Sequence, residues 1–249
     1  EDLRKERKET KEGNRTVIRE GDRTIVRQGD RTIIRHDDAN RFRVGSRDVK
    51  VERRGNETRT VIDRPNGVQI VNVVDSRGRL LRRIRRDKSG REVVIIDNRP
   101  RAGRAASVVL NLRPPVLRIP RDRYIVEAES APPALLYETL EAPPVEQIER
   151  AYTLDEVLDN PNLRARMRRV DLDTITFDTG SWEVTPTQAA RLEPIAQAMQ
   201  QAIAKNNAEV FLIEGHTDAV GYDVDNLTLS DRRAQSVARC VACRRAAVA

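Results

Sequence analysis

The chain has 249 residues, of which 34% are charged and only 3% aromatic, and its formal net charge at pH 7 is +7. That length allows one large domain or two small ones, but so few large apolar side chains argue against one continuous core. No apolar run reaches the roughly 18 residues of a membrane-spanning helix, so the sequence excludes such a helix.

The positive charge is concentrated in the N-terminal part. Residues 1–100 contain 28 lysine and arginine residues against 18 acidic ones, a balance of +10, whereas residues 101–249 have a balance of −3. An excess of this kind suits anionic polymers, although most of these arginines could equally be solvated positions between apolar residues. Phe42 is the only aromatic residue in the first hundred, so nucleic acid is not expected as a partner.

An eight-residue repeat opens the chain. It begins at Gly13, Gly21 and Gly29, and each copy continues as Asn or Asp, Arg, Thr, two β-branched residues and Arg. Glycine in a two-residue joint supplies the positive φ of a type II′ hairpin, and Thr, Val and Ile favour strands. We therefore predict an antiparallel meander over residues 14–36, preceded by a charged tail over residues 1–12.

Longer units of the same kind continue, so residues 13–99 are predicted to be a β-hairpin repeat region. Leu80 and Ile84 are expected on one face of the sheet and Arg83 and Arg85 on the other, as a one-sided sheet requires. Glycine-containing turns separate apolar-rich runs at hairpin spacing, and the runs are Val68–Val74, Arg79–Arg86 and Arg91–Ile96.

Three proline pairs, Pro114-Pro115, Pro132-Pro133 and Pro143-Pro144, mark residues 100–150 as a proline-rich linker. Proline disfavours long helices and central strands, so a semi-extended spacer is expected.

A short helical lead-in is predicted over residues 151–169. Thr153 and Glu156 form a capping box, and the helix should stop at Asn160-Pro161. A further helical turn is expected over Arg164–Arg169.

The last domain, residues 170–249, has a mixed α and β pattern. A strand over residues 172–177 ends near Asp178, and a second strand is predicted over Glu209–Glu214. Thr185-Pro186 begins a helix with a kink or late start at Pro194. Ser230 is expected to cap the final helix. The fold class predicted for the whole chain is α+β, with a βαβα arrangement in this domain.

An acid and a base lie fifteen residues apart in this domain. Asp218 follows the second predicted strand, and Arg233 is expected in the first turn of the final helix. Guanidinium groups bind carboxylates in a bidentate manner, and charge-assisted hydrogen bonds are strong. The two side chains therefore suit a ligand that carries both charges.

The sequence around this pair resembles the OmpA-like peptidoglycan-binding domain, found in outer-membrane protein A, peptidoglycan-associated lipoprotein and flagellar stator subunits. The resemblance runs from about Asp171 to Val237. It rests on Ile213-Glu-Gly-His-Thr-Asp218, Gly221, Asn226, Leu229-Ser230 and Arg232-Arg233-Ala234.

The resemblance implies that the ligand is the free end of a diaminopimelate side chain in the cell-wall peptide. In the family, the position of Asp218 holds the ammonium group and that of Arg233 the carboxylate. Asn226 and Thr217 are expected to contribute further hydrogen bonds, Asp178 to line the rim, and the helix N-terminus at Ser230 to favour the anion.

The implied function is non-catalytic binding of peptidoglycan, which tethers the envelope of a Gram-negative bacterium to its wall from the periplasm or outer membrane. No cofactor, metal or catalytic residue is expected. Membrane association is expected only through sequence preceding Glu1. The alternative is a basic β-repeat module that binds anionic polymers or another envelope protein through residues 13–99.

Plainer interpretations of the same residues stay open. Asp218 and Arg233 could pair with each other, His216 is expected to be a buried structural residue, and Gly215 and Gly221 are expected in turns. Cys240 and Cys243 would share a helix face, so the sequence leaves a disulfide open.

One departure from the family pattern concerns the closing strand. The resemblance ends after Val237, and the family's last strand is not found in residues 238–249. We expect an incomplete OmpA-like domain with an exposed sheet flank and weakened support for the ligand site.

Overall fold

The structure is a computed structural model. It describes residues 7–21, 23–29, 31–36, 42–43, 45–99, 111–218 and 222–247. The chain divides into two compact units, the first comprising Glu1–Pro114 and Glu149–Arg164 and the second Pro115–Ile148 and Ala165–Ala249. Strands and helices are both present, so the predicted α+β class is confirmed. The described helices are α1 (Arg121–Tyr124), α2 (Pro133–Glu141), α3 (Leu154–Asp159), α4 (Pro161–Arg164), α5 (Pro186–Arg191), α6 (Glu193–Lys205) and α7 (Asp223–Ala247).

The first unit begins with a four-stranded antiparallel sheet. Its turn glycines have φ angles of 57° to 62°, as the hairpin prediction requires. The predicted meander is confirmed, and one more strand comes from the segment expected to be a charged tail. That strand lies at an edge, where pairing on one side only tolerates charged side chains. In order across the sheet the strands are β1 (Lys8–Glu12), β2 (Arg15–Glu20), β3 (Arg23–Gln28) and β4 (Arg31–His36).

A five-stranded antiparallel meander follows in the same unit. Its last three strands coincide with the predicted apolar-rich runs to within one residue at each end. One face carries a small apolar cluster of Val71, Val73 and Ile84, with Val61 packed against it. The strands, in spatial order, are β5 (Asp48–Arg54), β6 (Glu57–Asp63), β7 (Gln69–Asp75), β8 (Leu80–Arg86) and β9 (Glu92–Asp97).

The opposite face of this sheet is also buried at its centre, which makes the one-sided prediction for Arg83 wrong. Arg83 pairs across the sheet with Asn72, and its side chain is nearly inaccessible. Its Nε donates to Oδ1 of Asn72 at 2.7 Å, and its guanidinium carbon lies 4.7 Å from the centre of the Phe42 ring. An amide and an aromatic ring thus replace water around the charge.

Helices α3 and α4 complete the first unit. The predicted capping box is present, since Thr153 Oγ1 accepts from the Glu156 backbone and the Glu156 carboxylate accepts from the Thr153 backbone. Asn98, just after β9, accepts a hydrogen bond at Oδ1 from the N–H of Leu154 at 2.8 Å. The following helical turn is α4 rather than the expected Arg164–Arg169, because Pro161 begins it.

The second unit starts inside the segment expected to be a linker. Strand β10 (Ile125–Glu127) pairs in parallel with β11 (Arg169–Asp171), and α2 packs on α6. Leu136 of α2 is fully buried beside Val126 and Ala198. Pro133 stands at the first position of α2, where its missing N–H removes no helical hydrogen bond, so this proline pair starts a helix instead of preventing one.

The C-terminal part of the second unit differs from the predicted βαβα order. The predicted helix is broken into α5 and α6 near Pro194, as expected. Residues 172–177 and Glu209–Glu214 form no strand in the described structure, in which the sheet of this unit is β10 with β11. Exposure still alternates along residues 209–218, so the side chains of this segment point to alternate sides as in a strand, although it pairs with no strand in the part of the chain that the structure describes.

The last helix packs on α6 and begins seven residues earlier than predicted, at Asp223. Val237 and Val241 of α7 bury against Leu192, Ile195 and Ala196. Ser230 is therefore inside the helix, and its Oγ donates to the carbonyl of Leu227 at 2.9 Å. Cys240 packs at the edge of this cluster, while the side chain of Cys243 lies outside the described residues. In the described part of the chain, no helix combines the length and apolarity needed to cross a membrane.

Candidate functional site

Three segments of the second unit meet at the predicted site: the loop 177–182, the segment 213–218 and helix α7. The loop contains a turn in which the N–H of Ser181 donates to the carbonyl of Asp178 at 2.9 Å. Gly180 has a φ of 72°, which a residue with a side chain rarely adopts. Sequence and turn chemistry together therefore hold the loop in a compact form.

Gly215 brings the segment 213–218 against α7. A β-carbon on this residue would lie 2.0 Å from the carbonyl oxygen of Ser230 and 3.0 Å from the backbone nitrogen of Ala234. The φ angle of Gly215 is not positive, and the residue is needed because a side chain would not fit against α7. The expectation that Gly215 lies in a turn is therefore wrong. Gly221, the other glycine of the motif, lies outside the described residues.

Arg233 connects the three segments. Its Nε donates to the carbonyl of Ser181 at 3.0 Å, Nη1 to that of His216 at 3.3 Å and Nη2 to that of Asp178 at 3.3 Å. Its guanidinium carbon lies 4.9 Å from the centre of the Phe177 ring. A guanidinium has five N–H groups, and two of these have no acceptor among the described residues.

The other predicted site residues lie in the same three segments: Asp178 in the loop 177–182, Thr217 and Asp218 in the segment 213–218, and Asn226 in α7. Asp218 is exposed and lies two residues beyond His216. Among the described residues, the hydrogen bonds of the Arg233 side chain go to backbone carbonyls and not to Asp218. The backbone carbonyl of Asp178 accepts from Arg233, and the residue is exposed, so the expectation that its carboxylate lines the rim stays a prediction. Asn226 lies in the first turn of α7, seven residues before Arg233 and therefore on the same side of the helix.

The helix N-terminus does not support an anion at the position predicted. Helix α7 begins at Asp223, so Arg233 lies in its third turn and Ser230 is not a cap. Asp223 and Asp225 occupy the first turn, where acidic side chains already complement the helix dipole.

Charges next to the site are grouped around His216. This histidine is exposed, so the expectation that it is a buried structural residue is wrong. Burial raises the pKa of the neighbouring Asp171 carboxyl. The hydrogen bond that protonated Asp171 donates to the Asp173 carboxylate, and the negative charge of Asp173, raise this pKa further, whereas His216 lowers it.

Several residues of the site were missed by the sequence analysis. Arg232 lies with its guanidinium carbon 4.5 Å from the centre of the Trp182 ring, and Phe177 stacks on Arg233 in the same manner. Two aromatic residues that bracket a Thr-Gly-Ser turn, and two consecutive arginines on a helix, were the signal that could have indicated these pairs.

The second unit is thus an α+β unit in which two connecting segments converge on an arginine of the last helix. The sequence model of the OmpA family matches residues 176–243, which include the loop 177–182, the segment 213–218 and all but the last four residues of α7. The chain therefore carries an OmpA-like domain over about a quarter of its length, as the motif indicated. Neither the curated proteins nor the solved structures contain a match to this chain.

Proposed function

We propose that the OmpA-like domain binds peptidoglycan without catalysis, through the free end of a diaminopimelate side chain. The observation that carries this proposal is the fixed position of Arg233, which backbone carbonyls and an aromatic ring hold at the meeting point of the three segments. The match of residues 176–243 to the OmpA family supports the choice of ligand.

The chemistry of the ligand suits the charges of the site. The terminal carboxylate of diaminopimelate would accept from the remaining N–H groups of Arg233, and the ammonium would bind the exposed carboxylate of Asp218. Thr217 and Asn226 are proposed to donate further hydrogen bonds. A protein of this kind would act in the periplasm or at the outer membrane of a Gram-negative bacterium and tether the envelope to the wall.

Sedimentation with purified peptidoglycan tests the proposal. The native chain should co-sediment with diaminopimelate-type peptidoglycan, and Asp218→Asn and Arg233→Lys should each reduce the bound fraction about tenfold or more. Lysine-type peptidoglycan offers the ammonium without the carboxylate, so it should bind weakly even to the native chain.

Arg239→Lys is the matched control because Arg239 is exposed on the same helix. It should bind like the native chain. Equal retention of the native chain and of the Asp218→Asn/Arg233→Lys double variant would contradict the proposal.

A second candidate function belongs to the four-stranded sheet. The cross-strand row Lys8, Arg19, Thr24 and Arg35 places three exposed cations on one face. Like charges that face each other are unfavourable unless an anion lies between them, so this row favours an anionic polymer as partner. Asp155 lies near Arg35 and offsets part of its charge, so Lys8 and Arg19 are the better candidates for binding an anionic polymer.

Three arginines in or next to the strands of the five-stranded sheet differ from this row because each forms an ion pair with an acidic side chain. Arg79 is paired with Asp75, Arg91 with Asp87 and Arg86 with Glu92. Polyphosphate binding measured at about 50 and 200 mM salt tests the candidate, and Lys8→Gln/Arg19→Gln should reduce the salt dependence. Arg91→Gln is the control. Binding that is independent of salt, or unaffected by the double substitution, would exclude this function.

A further inference from the structure

The loop 177–182 and the two consecutive arginines of α7 form two parallel aromatic–arginine pairs. Phe177 stacks on Arg233 at 4.9 Å, and Trp182 stacks on Arg232 at 4.5 Å. One aromatic residue stands at each end of the loop, so both ends are attached to the same helix. The loop is therefore connected to α7 through two stacked pairs, and not through Arg233 alone.

Two of the three carbonyl groups that hold Arg233, those of Asp178 and Ser181, lie between these two attachments. Asp178 directly follows Phe177, and the Ser181 carbonyl belongs to the peptide unit that includes the nitrogen of Trp182. Any displacement of Trp182 therefore moves the oxygen that accepts from Nε of Arg233. The N–H of Ser181 donates to the carbonyl of Asp178, so the same displacement also moves the oxygen that accepts from Nη2 of Arg233.

We propose that Trp182 and Arg232 are positioning residues for Arg233. Their stack fixes the end of the loop, and the loop carbonyls then orient the guanidinium so that its remaining N–H groups face the ligand. The ligand part of this inference rests on the proposed function, whereas the orientation of Arg233 can be measured without any ligand. Trp182 is the only tryptophan of the chain, so its fluorescence reports on this stack alone.

The orientation is tested by hydrogen exchange at the Arg233 Nε–H in the full chain labelled with ¹⁵N-arginine. Arg233→Lys identifies the resonance. Trp182→Leu and Arg232→Met should each accelerate the exchange about tenfold because the Ser181 acceptor is released. Trp182→Phe keeps an aromatic face and should stay within about threefold of the native rate.

Arg239→Met is the control on the same helix. If Trp182→Leu fails to fold, Arg232→Met still tests the proposal, because methionine retains most of the aliphatic part of the arginine side chain. An unchanged Arg233 Nε–H exchange rate in a folded Arg232→Met variant would overturn the proposal.

The ligand part is tested with a soluble muropeptide that contains diaminopimelate. Binding to the native chain should change the fluorescence of Trp182. The affinities of all variants are compared by titration calorimetry, which needs no tryptophan: Arg232→Met and Trp182→Leu should weaken the affinity about tenfold, and Trp182→Phe should stay close to the native chain. Faster exchange with native affinity would overturn the positioning role. Failure of the native chain to bind would refute the proposed function, and the exchange rates would still decide whether Trp182 positions Arg233.

Discussion

Gly215 packs directly against the carbonyl oxygen of Ser230, so closely that a β-carbon would lie 2.0 Å from that oxygen. Backbone atoms on a helix cannot move aside as the end of a flexible side chain can. Gly215→Ala should therefore destabilise the second unit by about 1–3 kcal/mol, since the segment 213–218 must shift away from α7. Urea unfolding followed by Trp182 fluorescence measures this change.

Leu212→Ala is the appropriate comparison, because Leu212 lies directly before the segment 213–218 and is 46% exposed. It should alter the free energy of unfolding by no more than about 0.5 kcal/mol. If Gly215→Ala were equally harmless, the segment would not be packed on the helix. Gly215→Ala should also weaken peptidoglycan binding, because a shift of Gly215 moves the adjacent His216, whose carbonyl accepts from Arg233.

Leu136 distinguishes a folded segment from a linker. Its side chain is fully buried beside Val126 and Ala198. Leu136→Ala should lower the free energy of unfolding by about 2–5 kcal/mol, whereas a residue in an extended spacer would show little effect. Val116→Ala, at a residue that is 55% exposed, is the control. Similar unfolding curves for the two variants would support the linker interpretation over the packed helix.

The sequence was most informative where the local chemistry admits few conformations. Glycine joints predicted the hairpins, and the capping box predicted the start of α3, because these signals act within four residues. The identity of the OmpA-like domain followed from side chains at fixed offsets. Its ligand residues stay a prediction, which the peptidoglycan sedimentation experiment tests.

The errors came from features that depend on distant parts of the chain. A proline pair such as Pro132-Pro133 ends regular structure or begins a helix, and only the packing of Leu136 decides between them. Ser230 has the chemistry of a helix cap, but α7 starts at Asp223 and continues through it. Arg83 looked like a solvent-facing residue because the pattern could not show that Phe42 covers that face.

Asn98 joins α3 to the five-stranded sheet, and its loss should loosen the helix. Its Nδ2 donates to the carbonyl of Leu80 at 3.2 Å and to Oδ1 of Asp155 at 3.3 Å, while Oδ1 accepts from Leu154. Asn98→Ala removes these partners, which should cost about 1–3 kcal/mol. Hydrogen exchange by mass spectrometry should then show faster exchange of the amides of residues 154–159.

Asn66→Ala provides a control for Asn98→Ala. The Asn66 side chain accepts from the N–H of Val68 within a single turn, so its loss should affect that hairpin and leave α3 unchanged. Unchanged exchange of α3 in Asn98→Ala would show that the helix does not depend on this side chain.

Glu156 makes the stability of the first unit dependent on pH in the acidic range. The hydrogen bond from Arg150, helped by that from the Thr153 backbone, outweighs burial and lowers the pKa of Glu156 to about 2. The Arg150 guanidinium approaches both carboxylate oxygens, at 2.7 and 3.0 Å. Because an unfolded glutamate titrates near pH 4.3, the stabilisation is present above that pH and is lost as the pH falls towards about 2. After allowance for solvent screening, it should amount to about 1–2 kcal/mol at pH 7.

Glu156→Gln tests this linkage because glutamine preserves the capping box but cannot form the ion pair. We expect the variant to be less stable at pH 7 by about 1–2 kcal/mol and to lose less stability than the native chain between about pH 4.5 and 2. Urea unfolding at a series of pH values, followed by circular dichroism, gives both quantities. Glu183→Gln, at an exposed residue, should reproduce the native pH dependence. Identical pH slopes for Glu156→Gln and the native chain would mean that Arg150 does not stabilise the charged form of Glu156 in the folded state.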